Sequence, residues 1–176
     1  RDIKLSDKIV EDSRKFITKL WNVARFSSVN KFNLNKNFEI NKIKLLINKW
    51  IYQRFLEIQE IIIKDLNNYN FNIASKNIYH FVWSDFCDLY IEFIKPYLKD
   101  ENYLDEISGT FSWVFQNILI LINPFLPFVT EEIALKLGYT KNYTLSQKQI
   151  EKGTKNIFKI NDFNKINNLK TFIYDF

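Results

Sequence analysis

Apolar residues recur every three or four positions through the first 138 residues, the period of helices that each bury one face. A first helix is expected over 6–28. It turns Val10, Phe16, Ile17, Leu20, Trp21 and Ala24 inward, with Ser6 as its cap and Asp7 at the positive end of its dipole. An Asn-rich connection, 30–37, leads to a second helix over 39–68, whose apolar face holds Ile43, Leu46, Ile47, Trp50, Ile51, Phe55, Ile58, Ile61 and Ile62. After the turn Asn67-Asn68-Tyr69-Asn70, a third helix over 72–96 is apolar around most of its circumference. Phe71, Ile78, Phe81, Val82, Phe86, Leu89 and Phe93 face one way, and Trp83, Cys87, Tyr90 and Ile94 extend the surface, so this is the expected central helix. A fourth helix over 102–121 ends at Asn123-Pro124, because the residue before a proline avoids the helical region. A short fifth starts at Thr130 as its cap, with Glu131 and Glu132 in the first turn and Gly138 as the stop. The tail, 139–176, breaks the pattern. It is rich in Lys, Asn and Thr, with short β-prone runs at 157–160 and 171–176. The expectation is an all-α bundle of about five helices over 1–138, followed by a basic, irregular or partly β tail or small appended subdomain over 139–176.

Composition narrows the class. Hydrophobic residues make up 47% and aromatic residues 17% of 176, enough for one packed globular core. No apolar run reaches the roughly 18 residues a bilayer span needs; the longest, 118–122, is cut off by Asn123 and Pro124. The start Arg1-Asp2-Ile3-Lys4 is charged, and no hydrophobic region of a secretion signal follows. Met is absent, even at position 1, which suggests a piece of a longer protein. Cys87 stands alone and cannot form an internal disulfide. Among apolar neighbours it reads as a small core residue in a reducing cytoplasm.

The net charge of +5 is modest, and abundant Asn, Ile and Lys with scarce Arg, Gly and Pro are what an AT-rich genome produces. The distribution of charge says more. Residues 1–36 hold nine Lys and Arg against four Asp and Glu, and 139–176 hold seven against three, while 101–138 hold one against five. A phosphate-binding surface is expected near the ends; accidental clustering on a solvated surface is the alternative. On a helical wheel the first helix gathers this charge. Arg14 and Arg25 share one edge of the apolar arc, Asn22 and Lys15 come next, and Lys19 lies further round. Arg offers a planar fork and Lys a mobile point charge, the two donor types a phosphate backbone takes. Each cation taken singly could equally be an internal ion pair, and Glu11 stands three residues before Arg14.

The third helix keeps one polar stripe, Asp85, Asp88, Glu92 and Lys95. Carboxylates at this spacing could hold a metal or serve acid–base chemistry. No histidine joins them, since His80 points elsewhere on the wheel, and the expected role is to pair with cations of neighbouring helices, Arg14 or Arg25 among them. The aromatic residues here read as core, except that Trp83 stays open as a stacking platform. One His, one Cys and glycines only at 109, 138 and 153 leave no material for a catalytic triad, a metal cluster or a phosphate-cradling loop. Neither a catalytic residue nor a metal ligand is assigned.

Three segments together carry a resemblance. Ser13-Arg14-Lys15-Phe16-Ile17-Thr18-Lys19-Leu20-Trp21-Asn22-Val23-Ala24-Arg25-Phe26 and Phe81-Val82-Trp83-Ser84-Asp85-Phe86-Cys87-Asp88-Leu89-Tyr90-Ile91-Glu92-Phe93-Ile94-Lys95-Pro96 resemble blocks of the valyl-tRNA synthetase family, a class I aminoacyl-tRNA synthetase family. Asn123-Pro124-Phe125-Leu126-Pro127-Phe128-Val129-Thr130-Glu131-Glu132-Ile133 is similar to a run shared by the valine, leucine and isoleucine enzymes, departing at Ala134 where those usually carry Trp. Order and spacing agree over 1–138; the tail carries no such likeness. The resemblance implies a helical anticodon-binding domain. Its parent ligase would join valine to valine tRNA using ATP and Mg, with catalytic and editing domains elsewhere in the parent chain. It implies tRNA as partner, no membrane and no cofactor held by this part; from the wheel, with the family motifs in support, tRNA contacts are expected from Arg14, Lys15, Lys19, Asn22 and Arg25, with Trp83 as the open stacking platform. An isoleucyl or leucyl counterpart is the near alternative. A helical protein-interaction module, with no salt-dependent RNA binding, is the distant one.

Overall fold

A computed structural model describes residues 7–34, 39–141, 143–148, and the single positions 153, 163 and 166. It is all-α, with no strand among the described residues. Helix α1 is Asp7–Val29 and α2 is Leu46–Asn67. Helix α3 runs without a break through an α-helical Phe71–His80, a π-type Phe81–Tyr90 and a closing α turn, Ile91–Ile94. A 3₁₀ turn, Lys95–Lys99, then leads into α4, Glu101–Ile122, and α5 is Pro127–Lys136. Helix α2 packs on α3 and α4, while α1 and α5 close the bundle from outside. The cap expected at Ser6 and the β-prone runs at 157–160 and 171–176 lie outside the described residues.

The central helix is α4 rather than α3. From Ile107 to Ile122 only Ser108 and Trp113 are not fully buried, whereas α3 leaves Phe71, Ile73, Lys76, His80, Asp88 and Glu92 exposed. Rings do much of the filling. Phe86 stacks on Phe115 at 5.9 Å and on Tyr90 at 5.5 Å, and meets Phe111 at 5.3 Å. Three residues placed on inner faces by periodicity alone, Val10, Ile61 and Phe71, are exposed; next to Ile61, Ile58 and Ile62 are buried, so that part of α2 is packed and Ile61 turns outward.

Helix starts depart from the expected ones. Helix α2 begins at Leu46 after a separate 3₁₀ turn, Ile40–Lys42. The backbone leading into it is held from α4: Glu106 accepts from Lys44 N and Leu45 N, both at 2.9 Å, and from Asn48 Nδ2 at 2.8 Å. Helix α4 is capped by Asp100, whose side chain accepts from Asn102 N at 3.0 Å. Helix α5 starts at Pro127, not Thr130, since a proline suits the first position where no N–H is needed. Thr130 is thus interior, its hydroxyl donating back to Leu126 O at 2.8 Å. Glu131 caps something else: it accepts from Leu145 N at 2.9 Å and ties the turn Leu145–Gln147 to the bundle. Gly138, at φ +71°, does end α5 as expected.

Candidate nucleic-acid interface

Helix α1 lies along the π-type part of α3, and between them runs a surface cleft of about 660 Å³. From α1 come Arg14, Lys15, Lys19 and Asn22, spaced so that they share one side of the helix. Facing them, Trp83, Cys87, Ile91 and Lys95 arrive at every fourth residue. Five of the six residues expected to touch tRNA therefore meet in one place. Arg25 does not line the cleft; it is exposed beyond it, although the wheel puts it near Arg14.

The cations of the cleft are in different electrostatic states. Lys15 sits 2.8 Å from Glu11, a hydrogen bond and charge pairing that raise the Lys15 pKa and lower that of Glu11. Both side chains are more than half exposed, so water screens the pair. Lys19 donates to Asp88 Oδ1 at 2.6 Å, and its ammonium stands 3.9 Å from the centroid of the Trp83 ring. Trp83 is held in turn by Tyr79, stacked at 5.4 Å and 22°, and Tyr79 by Phe16 at 5.0 Å. Among the described residues the Arg14 guanidinium and the Asn22 amide have no side-chain partner, and both line the cleft. Cys87 forms part of the wall, and burial pushes its thiol up to about 12, which keeps it neutral.

The carboxylates of α3 do not act as one stripe. Asp85 is buried and receives Arg54 Nε of α2 at 2.9 Å, while Asp88 turns to Lys19 and Glu92 to Lys95. Neither Arg14 nor Arg25 pairs with an acid among the described residues, contrary to the expected pairing. The π turn is the reason. In it an N–H reaches back five residues, as Ile91 N does to Phe86 O, and this wider winding rotates Asp88 away from Asp85. Arg54 was not foreseen, nor was the structural role of Tyr79. The sequence signal for the first was the one Arg of α2, four residues after Trp50. Among the described residues no group of His, Cys, Asp and Glu is gathered for a metal, and no helix is long and apolar enough to cross a membrane.

The family model for the anticodon-binding domain of tRNA ligases matches residues 48–173. The match therefore takes in α2 to α5 and most of the tail, and leaves α1 with its basic side chains outside. Among curated relatives, the valine–tRNA ligase of Pelagibacter ubique is 43% identical over 136 residues, which is 76% of this chain and 16% of that protein. That of Zymomonas mobilis is 38% identical over 143 residues, 78% of the chain and 16% of the relative, and that of Rhizorhabdus wittichii 40% over 144, with the same shares. The chain thus spans about a sixth of the length of these relatives. By the match over 48–173, the chain belongs to the family of anticodon-binding domains of tRNA ligases.

Proposed function

We propose that this chain is the tRNA-gripping, anticodon-reading part of a valine–tRNA ligase, a cytoplasmic enzyme that joins valine to its tRNA with ATP and Mg. The chemistry would belong to the catalytic and editing domains of the parent chain, and this part would hold the RNA. The observation that carries the reading is the α1–α3 cleft, where Arg14, Asn22 and Lys19 stand around Trp83. Bases of an RNA loop are unstacked and present both a π face and a polar edge. A tryptophan ring, an amide and a guanidinium suit the face, the edge and the adjoining phosphate in turn. Support for valine in particular comes from the names of the relatives. The bundle, 1–138, would supply this face, and the basic tail, 139–176, further cations.

The test is binding of the 176-residue chain to valine tRNA and to isoleucine tRNA across a salt series. Salt-sensitive binding that prefers valine tRNA is expected. Arg14→Ala should weaken it and flatten the plot of log K against log salt by about 0.7 to 0.9, the contribution of one phosphate contact. Equal affinity for both tRNAs would remove the valine assignment. Binding that ignores salt would remove the phosphate-contact role.

A further inference from the structure

Beside the cleft, just outside its lining, stands an acid that pairs with one of its cations. Asp88 keeps Lys19 at 2.6 Å, and Lys19 in turn covers Trp83 at 3.9 Å from its centroid. That height is ordinary contact distance for a stacked ring, so the ammonium occupies the place a base would take. We propose that Asp88 is a specificity-determining residue: it latches Lys19 over Trp83, so that only RNA offering an unstacked base together with a neighbouring phosphate opens the cleft. This rests on the reading of the cleft as an RNA site.

A phosphate alone must displace the Asp88 carboxylate from Lys19, exchanging one anion for another with little gain. A base alone must lift Lys19 from both the ring and the carboxylate and offers the ammonium nothing in return. A looped single strand supplies both groups at once: Lys19 moves to the phosphate and the base takes the ring. A duplex presents phosphates with its bases stacked away, and so leaves the latch shut. Such a repulsive element separates ligands more sharply than added attraction does. The π turn is what aims Asp88 at α1, and Tyr79 keeps Trp83 from following Lys19 as it leaves.

The experiment compares wild type, Asp88→Asn and Glu92→Gln, each titrated with the anticodon stem-loop of valine tRNA and with an RNA duplex of equal length at one salt concentration. Trp83 exposure is read by acrylamide quenching, with Trp83→Phe subtracted. Asp88 is 40% exposed in its side chain, so its replacement leaves the core intact, and Glu92 pairs with Lys95 of the same cleft, so its replacement removes the same charge without releasing Lys19. The expected result is that Asp88→Asn quenches more readily and binds RNA about two- to fivefold tighter, the range of an exposed ion pair. The gain should be larger for the duplex, so that the preference for the loop narrows, and Glu92→Gln should not narrow it. If wild type prefers the loop and Asp88→Asn keeps the same preference, or if Glu92→Gln narrows it equally, the latch is overturned while the RNA reading stands. If none of the proteins binds either RNA, the proposed function fails and the latch with it.

Discussion

Two aspartates three residues apart on α3 show how surroundings decide what an ion pair is worth. Asp85 is almost wholly buried against Arg54, whereas the Asp88–Lys19 pair is open to water. Burial works against the charge of Arg54, yet hydrogen bonds to Asp85 and Glu57 hold its pKa above the ordinary value. Arg54→Met would take the guanidinium away from the buried Asp85 carboxylate, and a loss of about 3 kcal/mol in urea unfolding is expected. Lys19→Met should cost less than about 1 kcal/mol in the same assay; equal losses would mean that burial does not separate the two pairs. Burial also acts on two acids that are neutral at pH 7. It lifts Cys87 from 9.0 to about 12, and lifts Tyr139 from 10.0 to about 12 against the pull of Ser112 and Ser27. The folded state therefore holds these protons more tightly than the unfolded chain does. That stability is complete below pH 9 and is lost as pH rises toward 12. Melting temperature followed by circular dichroism should fall across this window, and in Cys87→Ala the fall should begin nearer pH 10.

At the level of elements, α2 depends on α4 for its beginning. No side chain at its own start caps it, and Glu106 satisfies two backbone N–H groups from across the bundle. The same carboxylate fixes Asn48, which accepts from the buried Tyr90 hydroxyl at 2.9 Å. Glu106→Ala should therefore cost about 2 kcal/mol, the upper end for a lost cap, and should speed amide exchange at Lys44 and Leu45. Unchanged exchange there would show that water replaces the carboxylate without penalty. Existence and order of the five helices were legible from apolar spacing, because that spacing records which face avoids water. Their starts were less so. Glu106 is 62 residues from Lys44, and no local pattern announces a cap supplied from that far. The π winding of Phe81–Tyr90 was equally hidden, since a wheel assumes an α-helical step throughout.

Over the whole molecule, four of the described residues beyond α5 are part of the packing. Tyr139, Leu145, Phe163 and Ile166 are buried in the same core as the helices. Gly153 lies so close to α2 that a methyl group there would meet Leu56 Cδ2 and the Tyr52 hydroxyl, each at 2.5 Å. Both side chains are buried and have little room to yield. Gly153→Ala is expected to destabilise the chain by about 1 to 3 kcal/mol through overpacking and to speed proteolysis beyond Leu145. A stability equal to wild type would mean that the tail shifts freely on α2.

The sequence by itself determined the class of fold, the order of its helices, and the gathering of cations on α1. Each follows from local spacing or from simple inventory. It also brought Arg14, Lys15, Lys19, Asn22 and Trp83 under suspicion together. Only the tertiary structure decided that those five line one cleft while Arg25 stands outside it, that Lys19 rather than Arg14 takes Asp88, and that Arg54 takes Asp85. The physical reason is the same in each case. A charge chooses its partner by distance through space, and that distance is set by how two helices cross and how tightly one of them winds.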